Sequence, residues 1–128
     1  DDHVLSRSEL DPSAPLVWRR VVATFVRVSP VLNLHVGGRI IGTTGEHPFW
    51  VEGQGWTNAN VLQIGDVLVS HDGRRLEVEG IADSGRVATV YNLEVEDDHT
   101  YFVGADDWGW SVWAHNACVI DLKKDGQG

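Results

Sequence analysis

The chain has 128 residues, 42% hydrophobic and 23% charged, enough for one domain with one core and too little for two, in a balance that excludes a wholly disordered chain. Ten basic against 19 acidic side chains give a formal charge of −9, a field that repels phosphate backbones and argues against nucleic-acid binding. No apolar run approaches the ~20 residues of a membrane-crossing helix, and the one cysteine, Cys118, forms neither an internal disulfide nor a cysteine-rich zinc site.

Glycine supplies 14 residues, and the apolar residues come in short β-branched bursts, a pattern of many strands and tight turns. The opening Asp1-Asp2-His3 is acidic and polar where a secretory signal would be basic and then apolar. Val31-Leu32-Asn33-Leu34-His35-Val36 alternates apolar with polar, meets Gly37-Gly38 and resumes in Arg39-Ile40-Ile41, which predicts a hairpin with a primed turn. Thr57 as N-cap, with Ala59 and Leu62 before Gly65, predicts the sole helix, a short one. Val67-Leu68-Val69-Ser70, turned by Asp72-Gly73 into Arg75-Leu76-Glu77-Val78, predicts a second hairpin. The six tryptophans, Trp18, Trp50, Trp56, Trp108, Trp110 and Trp113, are expected to fill or cover the core. His3, His35 and His71 belong to no motif and are expected at the surface.

Three segments recur in the same order. Asp2-His3-Val4-Leu5-Ser6 returns as Asp66-Val67-Leu68-Val69-Ser70, Val31 through Val36 as Val90-Tyr91-Asn92-Leu93-Glu94-Val95, and His47-Pro48-Phe49-Trp50-Val51 as His99-Thr100-Tyr101-Phe102-Val103. An ordered set of this kind predicts two pseudo-symmetric β subdomains with the working site where they meet. Trp56 through Gly65 precede the second Asp66 segment, whereas the first copy begins at Asp1, so the first subdomain is expected to lack its opening strand.

Three histidines then stand in defined contexts: His47 in Thr43-Thr44-Gly45-Glu46-His47, His99 after Asp97-Asp98, and His115 directly before Asn116. This constellation resembles the Hint superfamily, shared by inteins, hedgehog autoprocessing domains and the bacterial intein-like domains of polymorphic toxins, above all those preceding toxin modules. Thr44 through His47 matches its Thr-x-x-His motif, Val90 through Val95 leading to His99 its late strand and histidine, and Ala114-His115-Asn116 its terminal His-Asn signature. The resemblance implies an all-β, horseshoe-like pseudo-twofold fold and chemistry on the chain's own peptide bonds. It also implies a bacterial origin, in the cytoplasm or exported as part of a larger toxin.

The residues agree at the Asn116-Ala117 bond. An asparagine side-chain nitrogen can attack its own backbone carbonyl, closing a succinimide and expelling the next residue's amine. Attacker and target share one residue, so positioning removes the entropy of encounter, a term of up to ~7–11 kcal/mol in ideal cases. The amide is a poor nucleophile, and general acid–base help is worth about 10²–10⁴-fold. His115 and His99 are the candidates, because an imidazole both holds and releases a proton near neutrality. In the family, Thr44 and His47 serve a second step, in which a first-residue Cys or Ser attacks the preceding carbonyl.

The sequence departs from that pattern at three places. Asp1 is not a Cys or Ser, so the first-residue step needs a segment from elsewhere; Asn92 stands where the family often has Asp and cannot exchange protons; and Ala117 is no nucleophile for ligating the flanks. Self-cleavage after Asn116 therefore remains, with residues 1–116 as the processing domain and 117–128 as the start of a downstream passenger. The expected partner is the chain's own flanking polypeptide from Ala117. A complementary N-terminal fragment, as in a split intein, is the related alternative. No cofactor, nucleic acid or membrane is called for. Blander readings make His47 a structural residue before Pro48, His99 a cap of the Asp97-Asp98 turn, and Asn92 structural like Asn33. A rival reading gathers His47, His99 and His115 as zinc ligands of a non-catalytic β module.

Overall fold

The computed structural model describes residues 3–104, 108–115 and 118–119, with the backbone alone of Asn92, Cys118 and Val119. Among the described residues the strands are β1 (His3–Ser6), β2 (Val17–Val36), β3 (Arg39–Thr43), β4 (Pro48–Val51) and β5 (Gly55–Asn58), then β6 (Val67–Val69), β7 (Arg75–Val95), β8 (Thr100–Val103), β9 (Val112–His115) and β10 (Cys118–Val119). The all-β expectation holds.

Two strands of 20 and 21 residues, β2 and β7, carry the architecture. They pair antiparallel from Val21↔Val95 to Val36↔Val78, with register shifts at Val21/Ala23, Pro30/Leu32 and His35/Val36 that bend the ribbon. On one side β3 returns along β2, and β10 lies between β3 and β7, so β2, β3, β10 and β7 close a ring. On the other, β6, β4, β9 and β8 extend the sheet, β5 pairing with β4.

The first hairpin forms as expected. Val36 faces Arg39 across Gly37 and Gly38, whose φ values of +57° and +76° are those a type I′ turn demands at both positions. The second forms too, with Val67↔Glu77, Leu68↔Leu76 and Val69↔Arg75 paired and the Asp72 carboxylate accepting the Arg74 N–H at 3.1 Å. The short helix from Thr57 is corrected. Thr57 lies in β5 opposite Phe49, and only a 3-10 turn, Ala59–Val61, follows, with Asn58 at the N-cap making no side-chain cap. The turn's donors go elsewhere: Ala59 N–H to the His47 carbonyl and Asn60 N–H to that of Gly45, each at 2.9 Å.

The repeated segments bury alike. Val31 and Val90, Leu34 and Leu93, Val36 and Val95, and Phe49 and Tyr101 are all buried, as are Val51 and Val103. The shared serines do equivalent work. The Ser6 hydroxyl donates to the Thr100 carbonyl at 2.7 Å, and Thr100 Oγ1 accepts the Arg7 N–H and donates to the Arg7 carbonyl. In the second copy Ser70 Oγ accepts the Ser111 N–H at 3.0 Å, and Ser111 Oγ accepts the His71 N–H at 3.1 Å. His71 is thereby half-buried, its Nδ1 2.7 Å from Ser111 Oγ, a correction to its expected place at the surface. Trp18 corrects the expectation for the tryptophans: it is 68% exposed, because it lies with Arg20 and Val22 on the exposed face of the early part of β2.

The Gly37 turn yields a paired test. A Cβ at Gly37 would lie 2.7 Å from Trp110 Cζ2, whereas at Gly38 it meets nothing within 4 Å. Gly38→Ala should cost about 1 kcal/mol, the backbone penalty for φ > 0 alone. Gly37→Ala should cost about 1–3 kcal/mol more, as the buried Trp110 is displaced. Urea denaturation followed by tryptophan fluorescence measures the difference.

Candidate functional site

The site is organised around β9, flanked by β4 through Phe49↔Ala114 and by β8 through Tyr101↔Ala114. Side chains alternate along a strand, so Val112 and Ala114 enter the main core with Phe49 and Tyr101. Trp113 and His115 enter the opposite face.

His47 lies on the core face. It is fully buried, its ring centroid 4.5 Å from that of Phe49 and 6.4 Å from Tyr101. Its N–H donates to the Thr44 carbonyl at 3.3 Å, a carbonyl that also accepts Thr43 Oγ1 at 3.1 Å. Thr44, itself buried, and His47 are thus brought together by one tight turn.

His115 lies on the other face, in an aromatic cluster. The Trp113 ring centroid is 5.0 Å from that of Trp50 and 4.9 Å from Trp56, and the His115 ring meets Trp56 edge-on at 5.1 Å. His115 Nε2 lies 2.5 Å from Glu9 Oε1. Glu9 belongs to the loop between β1 and β2, whose carbonyl at Glu9 accepts the Trp56 indole N–H at 3.1 Å. Arg7 closes this loop by donating Nε to the Ala14 carbonyl at 2.9 Å. The Arg7 guanidinium lies 5.6 Å from the Phe102 ring centroid and 5.4 Å from that of Trp113, an attraction of cation to π-face. Burial lowers the Arg7 pKa, opposed by the nearby Asp11 charge.

His99 directly precedes Thr100, the residue paired with His115, so it flanks the end of β9 on the neighbouring strand. Its φ of +58° follows one of +64° at Asp97, a left-handed turn uncommon outside glycine. The turn is fastened to β2: Arg19 Nε donates to Asp98 at 2.8 Å and the Glu96 N–H to the Arg20 carbonyl at 3.1 Å. The hydrogen bond to Asp98 raises the Arg19 pKa further above its usual value. The Asn92 backbone lies in β7 between Phe25 of β2 and Cys118 of β10. Asn116 and Ala117 lie outside the described residues.

The rival zinc set is not assembled. His47, in the turn before β4, packs on the core side with Phe49 and Tyr101 while alternation along β9 sends His115 to the other face with Trp56, and among the described residues no three His, Cys, Asp or Glu side chains converge as metal ligands. Sequence reasoning missed Glu9. Asp11-Pro12-Ser13 marks a turn, but nothing local says that the loop folds back over β9.

A family model for the pretoxin HINT domain matches residues 1–117. The chain belongs to that family. Its fold is the intein-type HINT fold. The HINT domain is similar to a bacterial intein-like domain from Clostridium thermocellum, known from its solution structure. The two share 30% identity and a TM-score of 0.69 over 94% of this chain and 80% of that one. It also shares the fold of a DnaB intein from Synechocystis, at 20% identity and TM-score 0.70 over 90% of this chain and 78% of that one. The DnaX mini-intein of Spirulina platensis is a further match, at 22% identity and TM-score 0.66, covering 92% and 80% respectively. No curated protein matches the sequence. A HINT domain acts on its own flanking polypeptide, and self-processing is consistent with this membership.

Two measurements probe how the site is held. Thr100→Val strips the buried hydroxyl shared by Ser6 and Arg7 and should lower unfolding stability by about 1–3 kcal/mol, the cost of leaving buried polar groups unmatched. In the Glu9 loop, the Ser13 hydroxyl and N–H both donate to the Asp11 carboxylate and hold its pKa below the usual carboxylate range. A depressed folded-state pKa gives stability that is fully present well above the unfolded value and is lost as the pH falls through the folded one. The Tm difference between wild type and Asp11→Ala should therefore hold steady above pH ~5 and shrink in stronger acid.

Proposed function

We propose that this HINT domain cuts its own chain after Asn116 by asparagine cyclisation and so frees the segment beginning at Ala117. The Asn116 side-chain nitrogen attacks its own backbone carbonyl carbon. The carbonyl collapses back as the bond to the Ala117 nitrogen breaks, leaving a succinimide at the end of the processing domain. One proton leaves the attacking nitrogen and one reaches the departing amine, so an imidazole that accepts the first and returns the second balances the step. His115 performs this transfer, and His99, beside the end of β9, supplies the second imidazole. Thr44 and His47 belong to the N-terminal acyl-shift machinery of the family and serve an upstream bond where a nucleophile is provided. The family's pretoxin character supports a toxin effector as the downstream segment.

The observation that carries this reading is the anchoring of the chain on both sides of the bond. His115 is held in β9 against Trp56 and Glu9, and Cys118–Val119 pairs with Asn92 and Tyr91 of β7, Val119 also with Thr43 of β3. Anchoring the neighbours of a scissile bond in general lowers the entropy lost on reaching a reactive geometry, which supports the reading.

Intact mass followed over time tests it. The wild-type chain should yield a fragment ending at Asn116 that is lighter by one water than the same fragment with a C-terminal asparagine carboxylate, the water being regained on ring opening. Its complement should begin at Ala117. Asn116→Ala should abolish both fragments, and His115→Ala should slow their appearance about 10²–10⁴-fold. An unaltered mass pattern in Asn116→Ala overturns the proposal.

A further inference from the structure

We infer that Glu9 is a positioning residue for self-cleavage, fixing the ring orientation and tautomer of His115; this rests on the proposed role of His115 at the Asn116-Ala117 bond. No motif includes Glu9, and it lies 106 residues from its partner in sequence.

His115 Nε2 lies 2.5 Å from Glu9 Oε1. An ionised carboxylate only accepts hydrogen bonds, so in the neutral imidazole this contact places the hydrogen on Nε2 and the lone pair on Nδ1. Nδ1 is by covalent structure the ring nitrogen nearer the backbone, and hence the one suited to a proton on the adjoining Asn116. When Nδ1 takes that proton from the attacking amide nitrogen, the ring becomes a cation with the Glu9 carboxylate against its far side. Returning the proton to the Ala117 nitrogen restores the neutral tautomer, so Glu9 never exchanges a proton. A carboxylate that orients an imidazole and steadies its charged form is a recurrent catalytic arrangement.

The pair is built rather than incidental. Side-chain exposures are 27% for His115 and 31% for Glu9, so both are largely screened from solvent. The Trp56 ring packs edge-on against the His115 ring while its indole N–H holds the Glu9 carbonyl. One tryptophan thus fixes both partners. The loop bearing Glu9 is further closed by Arg7 on Ala14 and by Asp11 on Ser13.

The test uses the full chain with 15N-labelled histidine. In the uncut Asn116→Ala background, the His115 ring, assigned by loss of its signals in His115→Gln, should show a protonated Nε2 and an unprotonated Nδ1. Adding Glu9→Ala should move both nitrogen shifts toward tautomer-averaged values. Glu9→Gln keeps an acceptor oxygen without the charge and should retain the tautomer. In the cleavable chain, Glu9→Ala should slow fragment release by about 10–100-fold, the scale seen when an outer-shell partner of a histidine is removed, with Glu9→Gln in between. His115 shifts that ignore both substitutions overturn the inference, even with normal cleavage. A chain that never cleaves while His115 still responds to Glu9 sinks the self-cleavage reading and leaves the pairing intact.

Discussion

Strand alternation in β9 is the constraint on which the site depends. Val112 and Ala114 must point into the main core, and once they do, Trp113 and His115 have no choice but the other face. His47, held by its own turn before β4, packs on the core side with Phe49 and Tyr101, and His115 among the tryptophans. The two imidazoles that the motifs single out at opposite ends of the family's chemistry are consequently separated by the sheet itself. Each is enclosed by its own set of neighbours, Phe49 and Tyr101 around one and Trp56 and Glu9 around the other.

The ribbon of β2 and β7 gives that arrangement its symmetry. The two long strands pair along most of their length, and the inward-facing apolar residues of one copy of the repeat have buried counterparts in the other, as with Leu34 and Leu93. The symmetry extends to polar ties: Ser6 with Thr100 and Ser70 with Ser111 each pin the end of a short strand through buried hydroxyls. His71 makes its contact with Ser111 within such a tie, which is why a histidine outside every motif is partly buried.

Much of this was legible in the sequence because it is local or periodic. The Gly37-Gly38 turn is dictated by backbone geometry that only a few residue types tolerate, and the ordered repeats expose the duplicated core directly. The Thr44 to His47 turn is likewise a property of four neighbouring residues. What escaped is long-range. Thr57 carries the chemistry of a helix cap, yet β4 recruits it as a strand partner, and the donors of the following turn are taken by the Gly45 to His47 loop. Trp18 has the size of a core residue but lies on the exposed face of the ribbon. Glu9 is an unremarkable acidic residue until the loop folds over β9, a contact that no spacing rule encodes.

Thr100 ties these levels together. It pairs across the sheet with His115, and its hydroxyl grips both backbone groups of Arg7, the residue from which the loop carrying Glu9 departs. Carboxylate and imidazole are therefore referenced to a common mount only a few bonds from each. Flexing of the long ribbon carries the two together as a unit, much as instruments bolted to one bench keep their alignment when the floor moves.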